Sequence, residues 1–151
     1  MPTKTIVTSS EAETAAAGRE LAADVSAGSV VLLCGDLGAG KTAFVRGLAD
    51  GLGVRSEDVS SPTFTIMQEY RGGRVALFHV DLYRLNDARE IEDLGLDEIA
   101  AGGVLAIEWA EKLSDVPTDA IAVRISHGDG DIRTIEVTTS SSRQITNYSD
   151  R

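Results

Sequence analysis

Gly35-Asp36-Leu37-Gly38-Ala39-Gly40-Lys41-Thr42 is a complete G-x-x-x-x-G-K-T phosphate-binding loop, and it decides the fold class of this chain. The loop follows an apolar run at 30–34 and precedes a segment of helical character at 42–52, which is the strand–loop–helix context that the motif requires. Glycines let successive backbone N–H groups point at phosphate oxygens, and the helix N-terminus adds its dipole. Lys41 is expected to reach the β- and γ-phosphates, and the Thr42 hydroxyl to bind Mg²⁺. The loop therefore predicts a nucleoside triphosphate site.

The bulk properties of the chain are those of one globular domain. It has 151 residues, of which 42% are hydrophobic and 25% are charged. The net charge of −10 disfavours direct binding to a nucleic-acid backbone, since such binding needs a concentrated basic surface. No apolar run has the length of a signal peptide or a membrane span, so we expect a cytoplasmic protein without a membrane partner.

Hydrophobic periodicity and turn residues predict the element order β-α-β-α-ββ-α-β-ββ. A capping box at Ser10 and Glu13 opens the first helix, whose predicted apolar face is Ala12, Ala16, Leu21, Ala22 and Val25. The predicted strands are 5–8, 30–34, 64–70, 75–82, 104–107, 121–125 and 132–137. The predicted helical segments are 10–25, 42–52 and 87–100, the last broken at Gly95. This order predicts a three-layer α/β sandwich of the P-loop NTPase kind, with a mixed parallel and antiparallel sheet. We expect one domain over residues 1–138 and a disordered tail over 139–151.

Two carboxylates follow apolar strands in the pattern expected of an NTPase. Glu108 comes directly after the apolar run 104–107, and Asp81 comes after 77–80. Catalytic and Mg²⁺-binding acids lie at the C-terminal ends of strands beside the phosphate-binding loop in open α/β sheets. Either residue could instead be an ordinary solvated carboxylate where a strand meets a loop. The division of roles between metal ligand and water positioner stays open.

Three further residues have both functional and structural interpretations. Thr63, in a polar loop, is a candidate for a hydroxyl that senses Mg²⁺ and the γ-phosphate, although its spacing alone favours an ordinary loop. Trp109 could stack on a base, anchor a partner or fill the rim of the core, and spacing alone favours core filling. His79 alternates with apolar neighbours, which favours a structural strand histidine over a catalytic base.

Taken together, the motifs resemble the TsaE (YjeE) family of bacterial ATPases of tRNA threonylcarbamoyladenosine (t6A) biosynthesis. The resemblance rests on four segments in the correct order: the phosphate-binding loop at 35–42, Ser61-Pro62-Thr63-Phe64, His79-Val80-Asp81-Leu82-Tyr83-Arg84-Leu85 and Ile107-Glu108-Trp109. It covers roughly residues 5–137. The phosphate-binding loop alone would be unspecific, whereas the Asp-Leu-Tyr-Arg-Leu run and the Glu-Trp pair make the set close to diagnostic.

The resemblance implies a function and a set of site residues. Members bind ATP or ADP and Mg²⁺, hydrolyse ATP slowly when alone, and associate with TsaB and TsaD, the pair that modifies tRNA; contact with tRNA is only indirect. By resemblance, Thr42 and Glu108 bind Mg²⁺, Thr63 belongs to a switch loop, and Asp81 is required for turnover. The phosphates would be bound by Gly35, Gly38, Ala39, Gly40, Lys41, Thr42 and Ala43. Trp109 would lie near the nucleotide and partner region, and Glu11 and Thr14 near the adenine.

Three other functions are compatible with a phosphate-binding loop. A small-molecule kinase is the main alternative, but the chain has no long lid insertion to bring arginines over the phosphates. A regulatory GTPase would normally carry an Asn-Lys-x-Asp element, and neither Asn86 nor Asn147 is followed by Lys. A nucleotide-dependent binding module that barely hydrolyses overlaps with the TsaE interpretation, because ATP-driven association is itself part of that function.

Overall fold

The computed structural model of this chain describes residues 3–35, 40–54, 67–113 and 119–139. Within those ranges the elements follow the predicted order, and the predicted break at Gly95 is confirmed, since it divides the acidic helical segment into two short helices. They are β1 (Thr3–Thr8), α1 (Glu11–Leu21), β2 (Val30–Gly35), α2 (Lys41–Leu52), β3 (Met67–Tyr70), β4 (Ala76–Asp81), α3 (Ala88–Glu92), α4 (Leu96–Ala101), β5 (Gly103–Glu108), β6 (Ile121–His127) and β7 (Arg133–Thr138). Residues 64–66 of the predicted third strand and 140–151 of the predicted tail lie outside the described ranges.

The strands form one mixed sheet in the order β1-β7-β6-β2-β5-β4-β3. The four central strands β6, β2, β5 and β4 are parallel to one another. β7 and β3 pair antiparallel with β6 and β4, and β1 pairs antiparallel with β7. The C-terminal ends of the parallel strands therefore lie at one edge of the sheet. The mixed sheet confirms the prediction from sequence and brings the ends of β2, β4 and β5 together.

Helices cover both faces of the sheet, which confirms the three-layer architecture. On one face, α1 and α2 pack against alternate strand residues such as Val31, Leu33 and Ala106, around the fully buried Phe44. On the other face, α3 and α4 pack against the intervening residues, such as Leu32, Leu105 and Ile107. The near-continuous apolar sequence of β2 and β5 follows from this burial on both sides. None of the helices within the described ranges is long and apolar enough to cross a membrane.

The predicted apolar face of α1 is wrong in its first half. Ala12 and Ala16 are exposed, and the residues of α1 that pack inward are Thr14, Ala17, Gly18 and Leu21. The reason is a close approach between α1 and α2 at their glycines. A Cβ added at Gly18 would lie 2.1 Å from the carbonyl oxygen of Phe44, and one at Gly47 would lie 1.7 Å from that of Ala15. Hydrophobic periodicity does not count glycine or threonine as apolar. The predicted buried face is therefore displaced toward the alanines.

The ends of both helices are fixed by side chains and by the β3–β4 hairpin. Ser10 caps α1 by accepting a hydrogen bond from the Glu13 N–H at 3.1 Å, as the capping box predicts. The predicted hairpin is also confirmed, since β3 and β4 pair antiparallel. Its turn residue Arg74 donates from the backbone to the carbonyl of Leu52 at 2.8 Å and from its guanidinium to that of Val25 at 3.0 Å. The hairpin thus satisfies carbonyls at the C-terminal ends of α2 and of the turn after α1.

Candidate functional site

The phosphate-binding loop begins and ends at glycines that the backbone requires. Gly35, at the end of β2, has φ 138°, and a Cβ there would lie 2.0 Å from the carbonyl oxygen of Ile125 on β6. Gly40 has φ 104° and caps α2 in the left-handed conformation. Gly38 and Ala39, which were predicted to bind phosphate, lie outside the described residues. The glycines at the two ends allow β2 to lie against β6 and α2 to start at the C-terminal edge of the sheet.

Lys41 is a buried cation at the first turn of α2. Its side chain Nζ donates to the carbonyl oxygen of Gly35 at 3.2 Å and lies 5.3 Å from the centroid of the Trp109 ring. The residue is only 7% exposed, so the carbonyl and the face of the indole replace part of the water that the ammonium group loses. This arrangement fixes a positive charge beside the phosphate-binding loop.

Asp81 and Glu108 are opposite each other at the ends of two parallel strands. The register of β4 and β5 pairs Asp81 with Glu108. Side chains alternate along a strand, and Leu77 on β4 and Ala106 on β5 belong to the core under α1 and α2. Asp81 and Glu108 are spaced by even numbers from those residues, so both carboxylates lie on the α2 side of the sheet. Glu108 is only 5% exposed and Asp81 is partly buried, so Glu108 in particular is not an ordinary solvated carboxylate.

The environments of the two carboxylates differ. Glu108 Oε2 is 2.5 Å from Nε2 of His79, which is fully buried, so the strand histidine has a carboxylate partner. Asp81 Oδ1 accepts a hydrogen bond from the backbone N–H of Tyr83 at 2.9 Å. Burial raises the pKa of Asp81 above its ordinary value; the Tyr83 N–H opposes that shift, and the negative charge of Glu108 adds to it.

These groups open onto one cleft of about 540 Å³. Eight of the predicted site residues line it: Glu11, Gly40, Lys41, Thr42, Ala43, Asp81, Glu108 and Trp109. Lys41 therefore enters the cleft from α2, and Asp81 and Glu108 enter it from the ends of β4 and β5. Thr63 lies outside the described residues.

A smaller cleft of about 220 Å³ adjoins the first at the start of α1. It shares Glu11, Gly40 and Ala43 with the main cleft and adds Thr14, together with Ser10. Asp131 and Arg133, from the β6–β7 hairpin, line its other side. Glu11 therefore lines both clefts, and Thr14 lines the smaller one beside Gly40 and Ala43.

The structure adds cleft residues that the sequence did not single out. Arg46 lines the main cleft from the second turn of α2, and its spacing of four residues from Thr42 could have suggested it. Tyr83 also lines it, and its position in the run that follows Asp81 was the available signal. Lys112 fixes this run, because its Nζ donates to the carbonyls of Tyr83 at 2.5 Å and Leu85 at 2.9 Å. Nothing in local sequence marked Asp131 and Arg133, because a hairpin distant in sequence brings them to α1.

Trp109 joins the cleft to the second core. It packs against the cluster beneath α3 and α4, and its ring centroid is 4.9 Å from that of Tyr83. Its φ of 60° makes it the one non-glycine residue with positive φ in the described part of the chain. Such a backbone costs about 1–3 kcal/mol and is concentrated at functional sites. The predicted packing at the rim of the core is confirmed, and the ring faces the cleft as well.

The donor atoms of the cleft suit a hard cation shared with phosphate. The Thr42 hydroxyl and the Glu108 carboxylate both line it, and oxygen is the ligand that Mg²⁺ prefers. The described residues contain no group of three or more His, Cys, Asp or Glu side chains that could hold a metal ion. Mg²⁺ is usually bound by one or two protein oxygens, water and substrate phosphates, so the two donors fit this mode.

Comparisons with known proteins agree with these motifs. A family model described as "Threonylcarbamoyl adenosine biosynthesis protein TsaE" matches residues 8–135. A protein of Bacillus subtilis named "tRNA threonylcarbamoyladenosine biosynthesis protein TsaE" is 44% identical over 133 residues, covering 87% of this chain and 82% of that protein. A protein of the same name from Nostoc is 45% identical over 119 residues, covering 76% of this chain and 72% of its own.

The fold also matches a solved structure. The crystal structure of YdiB from Bacillus subtilis superposes with a TM-score of 0.75 and 33% sequence identity, covering 98% of this chain and 93% of that one. These comparisons do not favour the small-molecule kinase alternative. The family match covers most of the chain, and the relatives match over most of their own lengths. The chain therefore belongs to the TsaE family.

Proposed function

We propose that this chain is a Mg²⁺-dependent ATPase of the t6A modification machinery, and that its ATP cycle drives turnover of a complex of TsaB and TsaD homologues. The observation that carries the proposal is the convergence of Lys41, Thr42, Asp81 and Glu108 on one cleft at the start of α2. The names of the relatives supply the pathway, since they are t6A biosynthesis proteins. The cleft supplies the chemistry.

The nucleotide would bind with its phosphates at the N-terminus of α2. The backbone N–H groups of the loop and the helix dipole favour anions there, and Lys41 adds a fixed charge. Arg46 adds a second cation from the same helix. The adenosine end would extend toward the adjoining cleft, where Glu11 and Thr14 lie. By the motif, Gly38 and Ala39 would also contact the phosphates.

Thr42 and Glu108 would hold Mg²⁺. When bound, the ion would supply positive charge that stabilises the phosphate groups during hydrolysis. Glu108 is buried and hydrogen-bonded to His79, so its carboxylate is already oriented before nucleotide arrives. A preoriented charge avoids reorganisation during the reaction, which is where electrostatic catalysis gains most.

Asp81 would orient the attacking water. Its carboxylate lines the cleft beside Glu108 but is tied to the Tyr83 N–H rather than to a buried partner. A carboxylate in this position can accept a hydrogen bond from water and direct the lone pair of that water to the phosphorus atom. Thr63 would sense the γ-phosphate from a switch loop and link the state of the nucleotide to the partner complex.

The coupling to partners fits the charge of the chain. A net charge of −10 opposes direct contact with tRNA, so tRNA would be bound by the partner proteins. TsaB and TsaD homologues would read the nucleotide state through the exposed rim of the cleft, where Tyr83 is 58% exposed and packs on Trp109. We expect the machinery to be cytoplasmic.

The test is phosphate release with and without TsaB and TsaD homologues. Slow ATP hydrolysis alone and stimulation by the pair are expected, together with co-purification that requires ATP. Lys41→Ala should abolish nucleotide binding, while the matched variant Lys4→Ala, at an exposed lysine on β1, should behave as the wild type. Phosphate transfer to a small metabolite without any response to the partners would refute the proposal.

A second measurement follows nucleotide binding directly. Trp109 is the single tryptophan, and its ring lies 5.3 Å from the Lys41 ammonium, so its fluorescence should change on addition of ADP. A silent titration at saturating ADP would place the nucleotide away from this ring.

A further inference from the structure

His79 is a fully buried polar side chain in the middle of the apolar β4 strand. Its neighbours in the strand, Leu77 and Val80, are fully buried aliphatic residues. Its Nε2 lies 2.5 Å from Glu108 Oε2, across a sequence separation of 29 residues. The partner is the same carboxylate that the proposed function assigns to Mg²⁺. The contact therefore links a core residue to the metal site.

Strand register explains how the two side chains meet. His79 is paired with Ala106, and both point to the α2 side of the sheet, as Glu108 does. Ala106 has no side chain beyond Cβ, so it leaves room beside β5 for the imidazole ring. The ring can then lean toward the end of the strand and reach Glu108. A larger residue at 106 would fill the space that the imidazole uses.

In the contact between His79 and Glu108 the imidazole is the hydrogen-bond donor, and its other ring nitrogen has no partner among the described residues. An ionised carboxylate has no hydrogen to donate, so Nε2 donates to Glu108. Nδ1 of His79 is buried and has no hydrogen-bond partner among the described residues. An unsatisfied buried polar atom costs about 1–3 kcal/mol, a cost that an aliphatic residue would avoid. Stability of the core therefore does not explain a histidine at this position.

We propose that His79 is a positioning residue that anchors Oε2 of Glu108, so that Oε1 is presented to Mg²⁺. Oε1 accepts no hydrogen bond from the described residues, which leaves it available as a ligand. Without the anchor, the carboxylate would rotate among several conformations and lose part of its affinity for the ion. Partners that orient a metal ligand change metal affinity by about 10–100-fold when removed. The inference rests on the proposed function, because it assumes the Mg²⁺ role of Glu108.

Three substitutions distinguish the effect of losing the hydrogen bond to Glu108 from the effect of losing the imidazole ring. The amide nitrogen of glutamine can take the place of imidazole Nε2, so His79→Gln should keep the donor. The shorter His79→Asn keeps a polar amide but cannot reach Glu108, and His79→Leu removes the polar group. The readout is ADP affinity measured by calorimetry, once with Mg²⁺ and once in EDTA. The free protein is compared by thermal unfolding in EDTA to establish that each variant folds.

The expected result is specific to the metal. His79→Asn and His79→Leu should lose about tenfold or more of the affinity that Mg²⁺ adds, and His79→Gln should retain most of it. Affinity in EDTA should stay within about twofold for all three, because phosphate contacts at Lys41 are unchanged. A loss of equal size with and without Mg²⁺, a Gln variant as weak as the Leu variant, or a Leu or Asn variant that fails to fold would overturn the proposal.

The same experiment tests the Mg²⁺ site and the role of His79 separately. A wild-type protein that binds ADP no better with Mg²⁺ than in EDTA would refute the Mg²⁺ site itself, and the role of His79 with it. A wild-type protein that responds to Mg²⁺ while all three variants respond equally would refute the role of His79 alone.

Discussion

Replacing Gly47 with alanine is expected to destabilise the protein by about 2 kcal/mol, although in an exposed helix the same change would stabilise it. Gly47 lies in the third quarter of α2, where α1 crosses it. An added Cβ would lie 1.7, 2.5 and 2.8 Å from the carbonyl oxygen, carbonyl carbon and Cα of Ala15. All three atoms belong to the backbone, so no side-chain rotation can relieve the overlap. The helices themselves must separate.

The magnitude follows from two opposing effects. The contact must lengthen from 1.7 Å to at least 3.0 Å, so the two backbones must move apart by more than an ångström. Overpacking of this kind costs about 3 kcal/mol when the neighbours cannot yield. Alanine regains about 1 kcal/mol of helix propensity, which leaves a net loss of about 2 kcal/mol. For a domain of this size, such a loss lowers Tm by roughly 6 °C.

The assay is chemical denaturation followed by far-ultraviolet circular dichroism, with thermal unfolding as a second measurement. The matched control is Ala16→Gly, at an exposed position of α1, which should cost about 1 kcal/mol through propensity alone. Because α2 carries Lys41 and Thr42, Gly47→Ala should also weaken ADP binding. A Gly47→Ala variant that is more stable than the wild type by about 1 kcal/mol would refute the close approach of the two helices.

Three more outcomes are expected. Asp81→Asn should raise Tm at pH 7 in EDTA, because a carboxyl group whose pKa is raised by folding destabilises the native state once the pH exceeds the pKa of the unfolded state. This gain in Tm should disappear as the pH falls below the unfolded-state pKa, and a gain that does not depend on pH would contradict the prediction. Cys34 should react with iodoacetamide more slowly than free cysteine at pH 8, since burial raises the pKa of its thiol, and reaction at the rate of free cysteine would contradict that burial. Lys112→Met should lower the free energy of unfolding by about 1 kcal/mol in a denaturant titration, because it removes two hydrogen bonds to the carbonyls of residues 83 and 85. The control Lys4→Met, at an exposed ion pair, should lower it by less than about 0.5 kcal/mol. Equal effects would show that Lys112 does not hold the loop at 83–85 in place.

Local sequence determined the element order and the general location of the site. The phosphate-binding loop is specified by eight consecutive residues, and the strands and helices by periodicities within single segments of the chain. The acids at positions 81 and 108 could be located for the same reason, because each directly follows an apolar strand. Parallel strands then bring such ends together by geometry alone.

Tertiary packing determined which face of α1 is buried. Gly18 and Gly47 lie inside because two helices approach closely enough for backbone to touch backbone. Hydrophobicity scales assign high values to large apolar side chains. A contact that depends on glycine, which has no side chain, therefore does not show in a hydrophobic pattern. Hydrophobic periodicity therefore predicts that the alanines of α1 form the buried face, although Ala12 and Ala16 are exposed.

The sequence by itself determined that this protein has a phosphate-binding loop, two strand-end carboxylates and the motifs of the TsaE family. Only the tertiary structure determined that His79 reaches Glu108, that the Trp109 ring faces Lys41, and that Asp131 and Arg133 adjoin the start of α1. Those contacts depend on the register of β4 on β5 and on the position of the β6–β7 hairpin beside α1, from which it is distant in sequence. Register arises from the packing of whole sheet faces, so short-range periodicity cannot specify it.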